Sequence, residues 1–303
     1  MKRSFAAIIL VFIILSCFLV ETAFAGAWTL PKYKVWGEYY MKWDYATQMY
    51  DANWTRRTMT YGNGGRSWGY TMEPKLEYGA TDWFTLMSSL QYKQYTYKEY
   101  SRPPQWGPFE RKNHGVTYTM VGGRLRLIAA PVIVSVQARE FIYVGGYGID
   151  HGDDPFFNSN QPGLGFGNNT FDLRGIVSKS FILPLSETVK FPSYASVEVG
   201  YDWNNWHVCN GVPYFAEVGI EFYPSLTWKN ELDGYKSHDG TGSLNEIAYG
   251  IWRTGLIWSV FGGDETLRRG NKAFNLEFQY GHMLWGKSVS AYDELVLKVQ
   301  TSF

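Results

Sequence analysis

Five histidines, one acidic run and a few serines are the residues of this chain that would carry catalysis or hold a metal. His114, His151, His207, His238 and His282 stand far apart, and no two have a zinc-ligand spacing. Asp150, Asp153 and Asp154 flank His151-Gly152 and would offer oxygen ligands to calcium, but without the spacing of a calcium loop. His282 with Ser288 or Ser290 is the one candidate for a serine–histidine nucleophilic pair of the kind a barrel phospholipase needs. Gly163-Leu164-Gly165-Phe166-Gly167 has the glycines of a phosphate loop, but a strand rather than a helix follows it. The expectation is a protein that is not an enzyme, with no metal site and no cofactor.

Charge is the more informative chemistry, and it depends on the elements that position it. From Tyr33 the odd positions read Tyr33, Val35, Gly37, Tyr39, Met41, Trp43, Tyr45, while the even ones carry Lys34, Glu38, Lys42 and Asp44. Alternate side chains of a strand point to opposite faces, so this segment has one apolar and one mostly charged face. About ten further segments repeat the pattern, among them 68–78, 84–93, 132–139, 195–203, 214–222, 274–280 and 294–303. Pro74 sits inside one of them and predicts a bulge or local distortion, because it has no N–H to give the ladder. In 245–258, Glu246 and Arg253 fall on opposite parities, which a bulge near Gly250 or Gly255 would reconcile.

The sum is about twelve strands, each near the ~10 residues that a tilted strand needs to cross hydrocarbon. Connections alternate between long polar ones (48–65, 99–113, 145–168, 204–212) and short ones such as Ala80-Thr81-Asp82 and Pro224-Ser225. Two on the short side, 183–192 and 261–272, break the rule. The fold class is therefore all-β: a transmembrane antiparallel up-and-down barrel. Aromatic residues make up 18% of the chain and gather near strand ends, where amphipathic rings settle at headgroup level.

Residues 1–25 are expected to be a cleaved signal peptide and 26–303 a single barrel domain. Lys2 and Arg3 precede the apolar run Ala6–Val20, and Ala23-Phe24-Ala25 is the cleavage pattern. Bulky Leu15 argues against lipidation at Cys17. Cys209 then stands alone, so no disulfide framework forms. Loss of Lys2, Arg3 and Glu21 leaves 26 positive against 27 negative charges, a balance that suggests no nucleic-acid partner.

The inward faces would carry Lys34, Lys42, Lys75, Lys93, Arg124, Arg126, Arg139, Arg174, Lys229 and Lys298. Against them stand Glu38, Glu73, Glu77, Asp172, Glu198, Asp202, Glu217, Glu221, Glu231, Glu277 and Glu294. Such groups persist in a low-dielectric wall only when hydrated or paired. Two readings stand: a pore whose transverse field orients a polar solute, or a network that rigidifies a narrow barrel. The long 145–168 loop, with Asp150, Asp153, Asp154, Phe156 and Phe157, would serve as a constriction or lid.

The ending Leu295-x-Leu297-x-Val299-x-Thr301-x-Phe303 resembles the terminal strand of bacterial outer-membrane proteins, with Thr301 where an apolar residue is usual. Glu77-Tyr78-Gly79-Ala80-Thr81-Asp82-Trp83 resembles a hairpin of transporter and porin-like barrels. The start Gly26-Ala27-Trp28-Thr29-Leu30-Pro31 is similar in flavour. The resemblance implies residence in the outer membrane of a Gram-negative bacterium, with the lipid bilayer and lipopolysaccharide as surroundings. It also implies Phe303 as the signal read by the barrel assembly machinery. The function expected is a channel or transporter for small polar or amphipathic solutes of unknown identity. A non-conducting anchor or adhesin barrel is the alternative. A soluble secreted protein binding carbohydrate through its aromatic residues is the third.

Overall fold

The computed structural model describes residues 27–59, 65–99, 109–144, 168–205, 209–238, 246–261 and 273–303. Regular structure among them is entirely β: β1 (Val35–Tyr50), β2 (Arg56–Thr58), β3 (Arg66–Thr81), β4 (Phe84–Glu99), β5 (Phe109–Ile128), β6 (Ile133–Tyr143), β7 (Thr170–Pro184), β8 (Lys190–Asn204), β9 (Gly211–Tyr223), β10 (Leu226–Ser237), β11 (Ala248–Phe261), β12 (Ala273–Lys287) and β13 (Val289–Ser302). β2 pairs only with the far end of β1, so the wall itself has twelve strands. Consecutive wall strands are antiparallel neighbours. β13 returns to pair with β1 from Ser302 opposite Trp36 to Val289 opposite Tyr50. Where neighbouring strands overlap, closure leaves no bare backbone edge, the condition for β-structure in hydrocarbon; 109–117 of β5 and 179–184 of β7 run on past β6.

The strands run from 11 residues in β6 to 20 in β5, longer than the alternation suggested. The extra length lies mostly at the mouth opposite the termini. The parity conflict in 245–258 has a structural cause: the register of β11 against β12 shifts between Gly250 and Ile251. Glu246 precedes the strand and pairs with Lys287 at 2.6 Å. Of the bulge or local distortion expected at Pro74, the structure shows the distortion and no bulge. Pro74 faces Tyr39 in unbroken register, and on the β4 side Glu73 and Pro74 drop out of the ladder between Met72–Tyr92 and Lys75–Ser89. The missing N–H costs a bond on one flank and leaves the register alone.

Two tight turns use left-handed residues without glycine: Ser225 (φ 70°) joins β9 to β10 and Ser288 (φ 55°) joins β12 to β13. The second lies on the long-loop side, which therefore contains one minimal turn. Next to β2, Asp51 accepts from the N–H of Asn53 (2.8 Å) and Thr55 (3.0 Å) and pairs with Arg57 at 2.6 Å. The Thr55 N–H above all, with Asn53 and Arg57, holds its carboxyl below the usual range.

The two faces have opposite chemistry. Leu76, Leu86, Val177, Val197, Leu256 and Phe278 are exposed on the outside, whereas Glu73, Asp172, Lys229, Glu231, Glu277 and Glu294 are buried inside. Tyr78, Trp83, Phe222, Tyr223 and Trp258 ring one end, and Tyr45, Phe171 and Trp203 stand toward the other. A water-soluble β-protein inverts this arrangement. Grease outward and charge inward is the pattern of a transmembrane barrel.

Candidate functional site: the charged interior

Period-two alternation on twelve strands sends the charged residues of the wall inward, and strand stagger decides which of them meet. On the β9–β13 side, Lys229 is the hub, with Glu231, Glu217 (3.2 Å) and Glu277 (3.2 Å) around its ammonium. Lys298 lies 2.9 Å from Glu277 and 3.4 Å from Glu231. Gln300 donates to both Glu277 (3.2 Å) and Glu38 (2.9 Å), and Lys75 closes on Glu38 at 3.2 Å. Arg253 links Glu231 and Asp233 to Glu294, which also meets Lys42 at 3.4 Å. The chain of contacts thus passes over the β13–β1 seam. Glu277 has no solvent exposure and Glu294 1%, so this flank of the interior is packed.

A second cluster spans β6–β8. Asp172 receives Arg139 (3.0 Å) and Arg174 (2.8 Å), and Arg174 reaches Glu198 at 3.5 Å. Gly200 lets the Arg174 side chain lie flat along the wall. A Cβ at that position would stand 2.7 Å from the Leu173 carbonyl and 2.5 Å from Arg174 Cγ. Gly200→Ala is therefore expected to destabilise the barrel by about 1–3 kcal/mol, because backbone cannot yield as a side-chain tip can. The midpoint of the heat-dependent gel-mobility shift reads this directly.

In the third cluster, on β3–β5, the hydrogen bonds come from neutral donors. Glu73 accepts from Ser89 (2.9 Å), Gln91 (3.3 Å) and Tyr118 (3.2 Å). Lys93 stands opposite inward-facing Thr71 and has no ion-pair or hydrogen-bond partner among the described residues. Arg124 is turned toward the short-turn mouth, where it bonds Gln137, the Trp28 carbonyl and Glu77.

Other expected residues lie at the margins. Lys34 precedes β1 at the short-turn mouth, and Arg126 donates to the Asp82 carbonyl (2.7 Å) at the same rim. Asp202, opposite Asp172, and Glu221, four residues from Glu217, lie toward opposite ends of the wall. Asp150, Asp153, Asp154, Phe156 and Phe157 fall outside the described residues, as do residues 1–25. Phe303 exchanges backbone hydrogen bonds of 3.0 Å with Val35, so the last residue helps to seal the seam. His282 pairs with Asp293 on the outer face, while Ser290 bonds inward-facing Tyr95, so His282 and Ser290 stand on opposite sides of the wall; Ser288, the other candidate, is the turn residue between β12 and β13.

Sequence reasoning missed Arg253, hidden by the parity conflict that the Gly250 bulge creates. It also missed apolar Ile133 and Ile176 on the inner face, and the seating of residues 27–30 against them. Inward parity was the available signal for both isoleucines.

No family model and no curated protein matches the sequence. Among solved structures, the chain is similar to the COG4313 outer membrane channel from Pseudomonas putida F1, at 16% identity and a TM-score of 0.58, over 93% of this chain and all of that one. It also matches the transport unit of the autotransporter AIDA-I from Escherichia coli, at 12% identity and a TM-score of 0.44, over 96% of both chains. The translocator domain of the autotransporter NalP from Neisseria meningitidis matches at 8% identity and a TM-score of 0.40, over 100% of this chain and 95% of that one. With the closed wall and its apolar exterior, the first likeness shows the fold: a closed antiparallel transmembrane β-barrel like that of the outer-membrane channel it matches.

Proposed function

We propose that the barrel is a narrow channel or transporter for small polar or amphipathic solutes, with the charged inner wall as the path. The observation that supports it is the density of charges and tyrosines on the inner face. Buried ion pairs contribute little to stability compared with apolar packing, so an interior with no aqueous role has no need of so many. A hydrated path does, since it must replace the hydration of a polar solute along the way. Arg139, Arg174, Glu198 and Asp202 on one side, and Lys75 with Glu38 on the other, offer both signs to such a solute. The inward apolar groups Ile133, Ile176, Ile251 and Met283 suit an amphipathic one.

Purified protein in planar bilayers is expected to give small, discrete conductance steps. Silence across many preparations of heat-modifiable, folded barrel would overturn this reading. It would favour a non-conducting wall or anchor, which the complete burial of Glu277 and Gln279 already supports on one flank. We further propose that the Leu295–Phe303 strand is the part engaged by the barrel assembly machinery, and that lipopolysaccharide surrounds the long-loop end.

A further inference from the structure

On the inner wall of β4, β6, β7 and β8, near the short-turn mouth, the long charged side chains found elsewhere give way to short hydroxyls. Thr85, Ser135, Ser178 and Ser196 face inward there, beside Ile133 and Ile176. Hydroxyls lining an open lumen would be wet. These are almost completely buried, so something covers them.

The cover is the segment before β1. The N–H of Ala27 donates to Ser178 Oγ at 2.9 Å, the hydroxyl of Ser135 donates to the Ala27 carbonyl, and Arg124 Nη1 donates to the Trp28 carbonyl at 2.9 Å. The N–H of Leu30 donates to Thr85 Oγ1 at 2.8 Å, and the hydroxyl of Thr29 donates to the Asp82 carbonyl at 2.7 Å. The Ala27 methyl packs on Ile133 and Ile176 with Trp28 beside it. At the outer end Gly79 has no Cβ because one would stand 2.1 Å from the Pro31 carbonyl. Between Ala27 on β7 and Lys34 at the foot of β1, the segment passes the feet of β3, β4, β5 and β6, close to half of the way round the wall.

We infer that the inner wall of β4–β7 is a binding site for the chain's own segment Ala27–Pro31, which acts as a removable plug over this side of the short-turn mouth. Residues 27–32 lie outside the strand ladders. Their holds are isolated hydrogen bonds to side chains, each of small net worth, and one small apolar contact. Such a segment leaves its seat at far lower cost than a wall strand does, and the seat it vacates is a groove of hydroxyls floored by two isoleucines. The inference extends the channel reading, since it assigns the element that limits the path.

The test uses the full chain with Cys17 and Cys209 both replaced by Ser, so that an introduced cysteine is alone. In Ala27→Arg the guanidinium would face Ile133, Ile176 and the like charge of Arg124, and it is expelled to water. Its conductance is expected to rise by about two-fold or more over the parent barrel. Ala27→Cys paired with Ser178→Cys should conduct less when oxidised than when reduced. A readout that needs no current is maleimide labelling of Ala27→Cys in the folded barrel, expected to be many-fold slower than labelling of an exposed control, Lys32→Cys. Equal labelling of the two, or conductance unchanged in both Ala27→Arg and the oxidised pair while the parent conducts, overturns the plug and leaves the channel standing. Slow labelling with silence in every variant supports the seat and instead defeats the channel.

Discussion

Replacing Arg253 by Met is expected to destabilise the barrel by about 3–5 kcal/mol, the cost of leaving buried carboxylates without their counter-charge. Arg253 is nearly buried and serves Glu294, Asp233 (3.1 Å) and Glu231 (3.6 Å). Of these, Glu294 and Glu231 have no route to water: their exposures are 1% and 3%. Methionine fills much of the volume, so the loss is electrostatic rather than a cavity. Lys42 retains Glu294 at 3.4 Å, and Lys229 and Lys298 retain Glu231, which sets an upper bound on the damage. The double variant Arg253→Met with Glu294→Gln should recover a large part of the loss, since it removes one stranded charge together with its partner. Urea titration in lipid vesicles, reading the folded and unfolded gel bands, measures both. If Arg253→Met unfolds at the parent's urea concentration, the interior around Glu294 is wet and the packed-flank description fails.

That prediction also marks where sequence reading stops. Period-two alternation made the wall legible because one variable, which face meets lipid, fixes every other side chain on a strand. Glu231, Glu277 and Lys298 could be assigned inward from parity alone. Their partners could not, because contacts such as Arg253 with Glu294 depend on stagger between strands and on the β13–β1 seam, neither of which leaves a local pattern. Arg253 itself was lost to a one-residue register shift at Gly250 that set it against Glu246. Pro74 was legible in kind: its missing N–H foretold a bulge or a distortion, and the ladder takes up the distortion on one flank without a change of register. In sequence, Gly26-Ala27-Trp28-Thr29-Leu30-Pro31 shows only a general likeness to outer-membrane chains. Its docking became visible only with Thr85, Ser135 and Ser178, from three different strands, gathered beneath it.

The outer wall gives the second large effect. Phe278 is 56% exposed on β12, between Glu277 and Gln279, which are both fully buried. Its lateral neighbours on the outside are Leu256 of β11 and Leu297 of β13, so it stands within a continuous apolar surface. On a protein that meets water there, an exposed Phe→Arg replacement would change stability by no more than about 0.5 kcal/mol. Facing hydrocarbon, Phe278→Arg is expected to cost about 2–4 kcal/mol, less as the position approaches the interface, because the guanidinium must be dragged into lipid or snorkel out of it. The inner neighbour provides the control. Among the described residues Gln279 has no hydrogen-bond partner for either side-chain polar atom, so Gln279→Leu should be neutral or stabilising, as removal of an unsatisfied buried amide usually is. A charge that is harmful at 278 beside an apolar group that is harmless at 279 is the outcome only a lipid-facing exterior gives. If the Arg variant unfolds in vesicles at the same urea concentration as the parent, this face does not touch lipid, and the membrane orientation of the whole wall would have to be abandoned.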